Sequence, residues 1–391
     1  MVLNEVPLSA DVFEDAGFGA RLIIDISALT DNWRTMQQLS SPARCAAVVK
    51  ADGYGLGAEA VASALYDAGC RDFFVATAPE GAEIRRHARD ARIFVMNCIL
   101  PGIEDACRAF ELVPVLASME HVVHWTNACA DGGDHPCALQ VDTGMNRLGI
   151  TVAEAVALAR DVTRPAGFSP VLVMSHLACA DEPDHPQNRQ QLDAFRKVVP
   201  GFENVEASFS NSAGVLLGDD YKFDLTRPGI AIFGGAVGDA HTPPTKPVVT
   251  AEARIVTIRR AKRGETVSYG ASVTLDRDSR IAVCSVGYAD GYLRALSGAG
   301  VTLRAHDARG AHAHAHGTNL PVLGRVTMDL TAFDVTDVAD DLLKPGDFIE
   351  LFGENVALDD VARTGGTIGY ELLTSLGRRY QRIYVNRPLR G

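Results

Sequence analysis

The chain has 391 residues, 22% charged and 47% apolar, with a formal net charge of −12. That length exceeds the roughly 250–300 residues one core supports, so two domains are expected, each with the composition of an ordinary soluble globular protein. The acidic balance argues against a nucleic-acid backbone or an anionic membrane surface as partner, and no apolar run approaches the roughly 20 residues that span a bilayer.

From the N-terminus, Met1 to Gly19 carries Glu5, Asp11, Glu14 and Asp15 and lacks a basic start followed by an apolar stretch. This argues against a secretory signal and for a cytoplasmic protein. Arg21 to Ile26 reads as a strand that the sequence assigns to neither domain. Between Cys45 and Gly234, short β-type runs alternate with amphipathic helical stretches, the pattern of a parallel sheet with crossover helices. The runs are Cys45–Ala51, Phe73–Thr77, Ile93–Cys98, Leu112–Ala117, Cys137–Asp142, Val171–His176, Val205–Ser210 and Asp224–Phe233. Helical stretches such as Ala58–Ala68, Glu80–Asp90, Val152–Asp161 and Asn188–Val198 lie between them. Eight units averaging roughly 25 residues suit an α/β fold of the (β/α)₈ barrel type, with a doubly wound open sheet as the alternative.

After the proline-rich segment His241 to Pro247 the pattern becomes alternating β, with little helix before Ala357. Ala253–Ile258, Ile281–Val286, Val322–Met328 and Phe348–Phe352 are the clearest runs. The expected organisation is a barrel over 1–240 and a mostly β C-terminal domain over 241–391. His312, His314 and His316 alternate between Gly310 and Gly317. They read as an exposed loop or strand edge, with a metal site as the less favoured reading. The eight cysteines (Cys45, Cys70, Cys98, Cys107, Cys129, Cys137, Cys179 and Cys284) form no C-x-x-C pair and mostly lie in apolar segments. They read as reduced core residues rather than a disulfide or zinc framework.

In a barrel, chemistry gathers at the C-terminal ends of the strands. Lys50 ends the first apolar run, just before Asp52-Gly53-Tyr54-Gly55-Leu56-Gly57. An isolated lysine there would extend its stem along the core and its head into water. The other strand ends change that reading. The fifth carries Asp142-Thr143-Gly144-Met145-Asn146-Arg147, the sixth Ser175-His176, the seventh Ser210-Asn211-Ser212-Ala213-Gly214 and the eighth Arg227-Pro228-Gly229-Ile230. Alone, His176 is a core histidine, Asn211-Ser212 a helix cap and Arg227 half of an ion pair. Together they supply a Schiff-base lysine, hydroxyl and N–H groups for a phosphate and a fixed cation, the parts of a pyridoxal phosphate site.

From Arg21 onward the chain resembles the bacterial alanine racemases, fold-type III pyridoxal-phosphate enzymes. The resemblance rests on Ala47 to Gly55, Val141 to Gly149, Ser175 to Asp181, Ser210 to Ala213 and Arg227 to Ile230. It continues through Val267 to Ala271, Gly287 to Tyr292, Gly324 to Asp329 and Ile368 to Glu371. It implies that pyridoxal 5'-phosphate is the cofactor and that Lys50 carries it and acts as base on one face of the substrate Cα. Tyr269, supplied by the other chain of a homodimer, would act on the opposite face. Tyr54, Asn211, Ser212, Gly229, Ile230 and Tyr370 would bind the cofactor, mostly at its phosphate. Arg147 would reach the phenolic oxygen and the substrate carboxylate, helped by Met328. His176 would orient Arg227 against the pyridine nitrogen, and Tyr288, Asp329, Tyr370 and Asp181 would line the substrate entrance.

The chemistry of these roles follows from the residue types. Racemisation removes a proton from one face and returns it to the other, so two acid-base groups on opposite sides are the simplest arrangement. A guanidinium does not give up its proton, so Arg227 would leave the ring nitrogen unprotonated and favour proton return over transamination. One departure from the family stands out: Gln140 occupies a position where many members have a carbamylated lysine, so the anion that would pair with Arg147 is missing. Thr327 replaces a common cysteine, with little expected effect. The alternatives are a broader-specificity racemase, a fold-type III decarboxylase and a non-catalytic cofactor carrier. The Tyr269 segment and the Arg227 placement argue against the decarboxylase, and Tyr269 with the complete second domain against the carrier.

Overall fold

The computed structural model describes residues 17–97, 101–129, 135–160, 165, 168–238, 245–304 and 306–386. Cys98, Asp161 and 241–244 of the proline-rich segment lie outside the described residues. Two compact units form, one of Ile26–Val248 and one joining the chain up to Asp25 with Val249–Val385.

In chain order, β1 (Ala20–Asp25) belongs to the second unit. The first holds β2 (Arg44–Cys45), β3 (Ala47–Val48), β4 (Asp72–Val75), β5 (Arg92–Val95), β6 (Leu112–Leu116), β7 (Pro136–Asp142), β8 (Ile150–Thr151), β9 (Ser169–Met174), β10 (Glu206–Ser208) and β11 (Leu225–Thr226). β3, β4, β5, β6, β7, β9 and β10 pair side by side, all parallel. β11 closes the ring. On one side the Arg44, Ala46 and Val48 N–H groups donate to the Asp224, Thr226 and Pro228 carbonyls at 2.9, 2.9 and 3.0 Å; on the other, the Asp224 and Arg227 N–H groups donate to Ala207 and Ser210 at 3.0 and 2.8 Å. The fold is therefore the closed barrel and not the open sheet. β4 and β6 are buried along their whole length, as parallel strands covered on both faces must be.

Three expected elements change. The eighth strand stops at Thr226, because Pro228 has no N–H to continue a ladder and residues 230–234 turn instead. The helix expected over Glu80–Asp90 spans Ala78–Arg85, opening with Pro79 in its first turn and Glu80 accepting from the Ala76 and Thr77 N–H groups at 2.7 and 3.3 Å. The run expected over Val322–Met328 is a strand only as far as Leu323.

The floor of the barrel is an ionic ring. Arg44 binds Glu206 through both terminal nitrogens at 2.7 and 2.9 Å and Asp72 at 3.3 Å, while Arg92 holds Asp72 at 2.6 Å and Glu206 at 2.8 Å. Four strand starts are thereby joined. Burial alone would raise the Glu206 carboxyl, but the two guanidiniums hold it below the usual carboxylate range. Its contribution is thus complete at neutral pH and disappears as pH falls through that depressed value. Glu206→Gln should lose about 2 kcal/mol of stability at neutral pH, the scale of a hydrogen bond to a charged group. Thermal unfolding followed by circular dichroism should show the gap to wild type closing below about pH 4; an equal gap at both pH values would contradict this account.

The second unit is mostly antiparallel. It contains β12 (Val249–Ala261), β13 (Thr266–Val267), β14 (Val273–Thr274), β15 (Ser279–Cys284), β16 (His312–Ala315), β17 (Thr318–Leu323), β18 (Thr331–Asp334), β19 (Phe348–Phe352) and β20 (Tyr380–Val385). β15, β18, β17, β16, β19 and β12 follow one another, and β12 returns to pair with β15, so these six strands also close. The thirteen-residue β12 pairs with both β19 and β15 through register shifts at Ala251/Glu252 and Ile255/Thr257. β1, unassigned in the sequence, lies here, antiparallel to β12 and parallel to β20, so the barrel unit begins at Ile26 rather than at residue 1. His312 and His314 lie on a strand paired on both sides, not in a loop or at an edge, with Ala313 and Ala315 buried in alternation with them. Among the described residues no three His, Cys, Asp or Glu side chains are grouped to hold a metal ion, and the seven cysteines present are free thiols. No described helix is long and apolar enough to cross a membrane.

Candidate active site

Lys50 stands where the first barrel strand meets the rim, and the chain then winds the wrong way. Ala51, Asp52, Gly53 and Tyr54 have φ of 54°, 55°, 59° and 55°, a left-handed turn ended by Gly55 at 81°. Each non-glycine residue there costs about 1–2 kcal/mol, so the turn must be held from outside. Glu80 Oε1 accepts the Ala51 N–H at 2.9 Å, and Asp52 Oδ1 accepts that of Ala58 at 2.7 Å. Gly53 lets the turn lie on Val61, whose side chain would be 3.1 Å from a Cβ. The turn leaves Lys50 accessible and brings Tyr54 inside, stacked on Phe233 at 4.4 Å. Desolvation first, and the Arg147 cation second, push the Lys50 amine below the ordinary lysine range, with Glu80 opposing them.

Tyr54 ends against the eighth strand segment. A Cβ on Gly229 would sit 2.2 Å from the Tyr54 hydroxyl oxygen, so only glycine leaves this cradle open. Ser212, almost fully buried, accepts the N–H groups of Gly229 and Ala231 at 2.9 and 3.4 Å and lies over the same backbone. Ile230 is buried between them in sequence, and Asn211 Oδ1 accepts the Gly214 N–H at 2.9 Å, fixing the turn that carries Ser212. The Tyr54 and Ser212 hydroxyls and the Gly229 and Ala231 amides thus converge at one place.

Arg227 is 3% exposed, yet no carboxylate is paired with it among the described residues. It donates to the Ser208 hydroxyl, to the Ser175 carbonyl at 2.6 Å and, at 3.5 Å, to His176 Nδ1. Burial pushes its guanidinium down to about 9, so it keeps its charge at neutral pH. Burial, then Arg227, Arg147 and Lys50, drive His176 down to about 3, so its ring is neutral and free to accept. Arg147 is exposed, with no side-chain hydrogen bond among the described residues. Its loop leaves β7 tightly: Asp142 Oδ1 accepts the N–H groups of Gly144 and Met145 at 2.8 and 2.9 Å, and Gly149 passes so close that a Cβ would lie 2.4 Å from the Asp142 nitrogen. Asp181 is exposed on the segment after His176.

In the second unit, Tyr269 is 73% exposed on a turn in which Ser268, Gly270 and Ala271 have φ of 69°, 73° and 47°. Ser268 Oγ locks this turn to Arg325 through both its carbonyl and its N–H, each at 3.1 Å. The chain then reaches Thr327 and Met328, whose carbonyls accept the Tyr288 and Ala289 N–H groups at 3.0 and 3.1 Å. Gly287 permits that approach, since its Cβ would meet both carbonyls at 2.3 Å. Tyr288, Met328 and Tyr370 are all exposed, and Ser375, following the Tyr370 helix Gly369–Thr374, abuts Gly291. Tyr269, Tyr288, Met328 and Asp329 thus share one connected group of loops.

Residues 24–237 match the family model for the alanine racemase N-terminal domain, and residues 248–384 that for its C-terminal domain. The chain belongs to the alanine racemase family. It is 58% identical over 366 residues to an alanine racemase of Rhizobium meliloti, covering 94% of this chain and 97% of that protein. To a biosynthetic alanine racemase of Agrobacterium fabrum it is 57% identical over 375 residues, covering 96% and 95%. Its fold superposes with a TM-score of 0.86 on the crystal structure of an alanine racemase from Bartonella henselae with covalently bound pyridoxal phosphate, at 36% identity, covering 94% of this chain and 99% of that one.

Within this alanine racemase fold, two structural partners escaped sequence reasoning. Glu80 supports the turn behind Lys50; its T-x-x-E spacing from Thr77 signalled a helix cap, but not the reach to Ala51. Arg379 holds Asp290 at 2.6 and 2.9 Å and Asp329 at 2.7 Å, tying the Tyr288 turn to the Met328 loop, and no local pattern marks it. The family departure Gln140 is 6% exposed and donates from Nε2 to the Leu148 carbonyl at 3.0 Å.

Proposed function

We propose that this alanine racemase interconverts L-alanine and D-alanine with pyridoxal 5'-phosphate carried by Lys50, and that Lys50 and Tyr269 are the acid-base groups on opposite faces of Cα. The observation that carries the reading is the barrel rim. An amine held below its ordinary range stands with a buried unpaired guanidinium, Arg227, and with the Tyr54–Ser212–Gly229 cradle. These residues fit the cofactor at three points. With the cofactor bound, Tyr54, Ser212, Gly229 and Ile230, with Tyr370, would hold its phosphate, Asn211 would support the turn that carries Ser212, Arg227 would face its pyridine nitrogen and Lys50 its aldehyde carbon. Bound there, the cofactor withdraws electrons from Cα and so acidifies its proton.

The protein does the rest by position. Lys50 moves the proton on one face, and the Tyr269 hydroxyl moves it on the other. Arg227 keeps its own proton, so it would leave a pyridine nitrogen facing it unprotonated and favour return of the proton to Cα. Neutral His176 accepts from Arg227 and helps orient it. Arg147 and the backbone at Met328 bind the substrate carboxylate, and Tyr288, Asp329 and Asp181 line the approach.

Tyr269 serves the barrel of a second copy, making the enzyme a homodimer with shared sites. Its 73% exposure supports this reading, as does the groove of about 590 Å³ beside it, lined by Val267, Ser268, Arg325, Thr327 and Leu330 among others. The reaction belongs in the cytoplasm, supplying D-alanine for cell-wall precursors, in keeping with the biosynthetic name of the Agrobacterium relative.

A panel of L-amino acids analysed by chiral chromatography, with carbon dioxide release measured in parallel, tests the assignment. Alanine should be racemised fastest and without decarboxylation. Activity confined to serine or larger side chains, or carbon dioxide release exceeding racemisation, would overturn it.

A further inference from the structure

The substitution at Gln140 raises the question of what aims Arg147, and the barrel answers it with three glutamines. Gln191, on the helix Pro186–Phe195, has no exposed surface. Its Nε2 donates to the His176 carbonyl at 2.9 Å and to Thr143 Oγ1 at 3.2 Å, while its Oε1 accepts the Ala178 N–H at 2.9 Å. Thr143 is hydrogen-bonded in turn to Ser175 Oγ at 2.8 Å. One turn earlier on the helix, Gln187 Nε2 donates to the Gly144 carbonyl at 2.9 Å, and the fit is close enough that a Cβ on Gly144 would lie 2.6 Å from that nitrogen. From the strand side, Gln140 donates to Leu148.

Beyond the Asp142 carboxylate at its entry, the loop is therefore gripped at 143, 144 and 148, on both sides of Arg147, by neutral amides. Gln191 also holds the backbone on both sides of the His176–Ala178 segment, so the Arg147 loop and the His176 strand end share one buried anchor. An anion would position the guanidinium at its head; here the grip acts on the backbone below it. We propose that Gln191, with Gln187 and Gln140, forms an uncharged clamp that positions Arg147, so that its placement requires neither a carbamate nor a bound anion. The proposal rests on the reading of Arg147 as a substrate-binding residue. Its guanidinium is left unneutralised, with its full charge available to the substrate carboxylate and to the field that depresses Lys50.

Steady-state kinetics of the holoenzyme with alanine tests the clamp. Gln191→Leu keeps the volume but loses all three hydrogen bonds. It should raise KM about tenfold, the scale of a sub-ångström misplacement, while retaining cofactor absorbance. In an Arg147→Ala background the same substitution should add nothing, because it acts through Arg147; a merely structural role would add its own effect. The milder Gln187→Ala should raise KM less, and serves if Gln191→Leu does not fold. Wild-type rates should be the same in a zwitterionic sulfonate buffer titrated with free Tris base and freed of bicarbonate and chloride as when either is added. An unchanged KM in the glutamine variants, additivity with Arg147→Ala, or severalfold stimulation by chloride or bicarbonate would overturn the clamp alone. An Arg147→Ala enzyme with unchanged KM would overturn the reading of Arg147 as well.

Discussion

Lys50→Ala should abolish racemisation in both directions, lowering kcat/KM by about 10⁴-fold or more. The variant loses both the amine that carries the cofactor and one of the two proton-transfer groups, and no other lysine lies on the described rim. Its fold should survive, since the left-handed turn is held by Glu80, Gly53 and Asp52 rather than by the amine. A small alkylamine added to the solution should restore part of the rate, because what is missing is an amine at a fixed place. The wild-type profile should rise with pH as Lys50 sheds its proton, below the ordinary lysine range. Removing Arg147, whose cation is second only to desolvation in causing that depression, should move the rise toward alkaline pH. A Lys50→Ala enzyme with substantial unaided activity, measured by chiral chromatography, would refute the assignment.

Tyr269→Phe should lower racemisation by about 10³-fold in both directions, since it removes one proton-transfer hydroxyl and little else. The residue is 73% exposed within its own unit, so stability should barely change. In deuterated water the two variants should differ by face. Tyr269→Phe should exchange the α-proton of one enantiomer without inverting it; if both enantiomers still invert, the two-base arrangement fails. Mixing the two inactive variants and allowing subunits to exchange gives a further readout. When each site takes Lys50 from one chain and Tyr269 from the other, half of the dimers are mixed and each holds one intact site of two. About a quarter of wild-type activity should then return. No recovery after demonstrated exchange would place both groups in one chain.

Much of this was legible in the sequence because the signals are local. Alternating short strands and helices announced the barrel, and each strand end carried its chemistry within a few residues: Lys50 before a glycine-rich turn, Arg147 in a loop entered by Asp142 and left by Gly149, Ser212 after Asn211. Gly229 is a case of agreement between levels, since the motif glycine leaves room for the Tyr54 hydroxyl. The errors were of another kind. The last barrel strand was read through Pro228, although a missing N–H ends a ladder whatever the hydropathy. The histidine run reads as an exposed loop or strand edge because glycines flank it, whereas its alternation is that of a strand paired on both sides.

By itself, then, the sequence determined the barrel with its following β domain, the family and the residue types of the site, since these depend on periodicity, turn chemistry and short motifs. Only the tertiary structure decided which distant groups meet. It placed β1 between β12 and β20, set Glu80 behind Lys50, joined Arg379 to Asp290 and Asp329, and brought Gln191 to both Thr143 and His176. The physical reason is the range of the interactions. Backbone geometry and burial pattern are written within a turn or two of chain, whereas the partner of a buried amide or guanidinium is fixed by packing between segments tens to hundreds of residues apart, which no local pattern encodes.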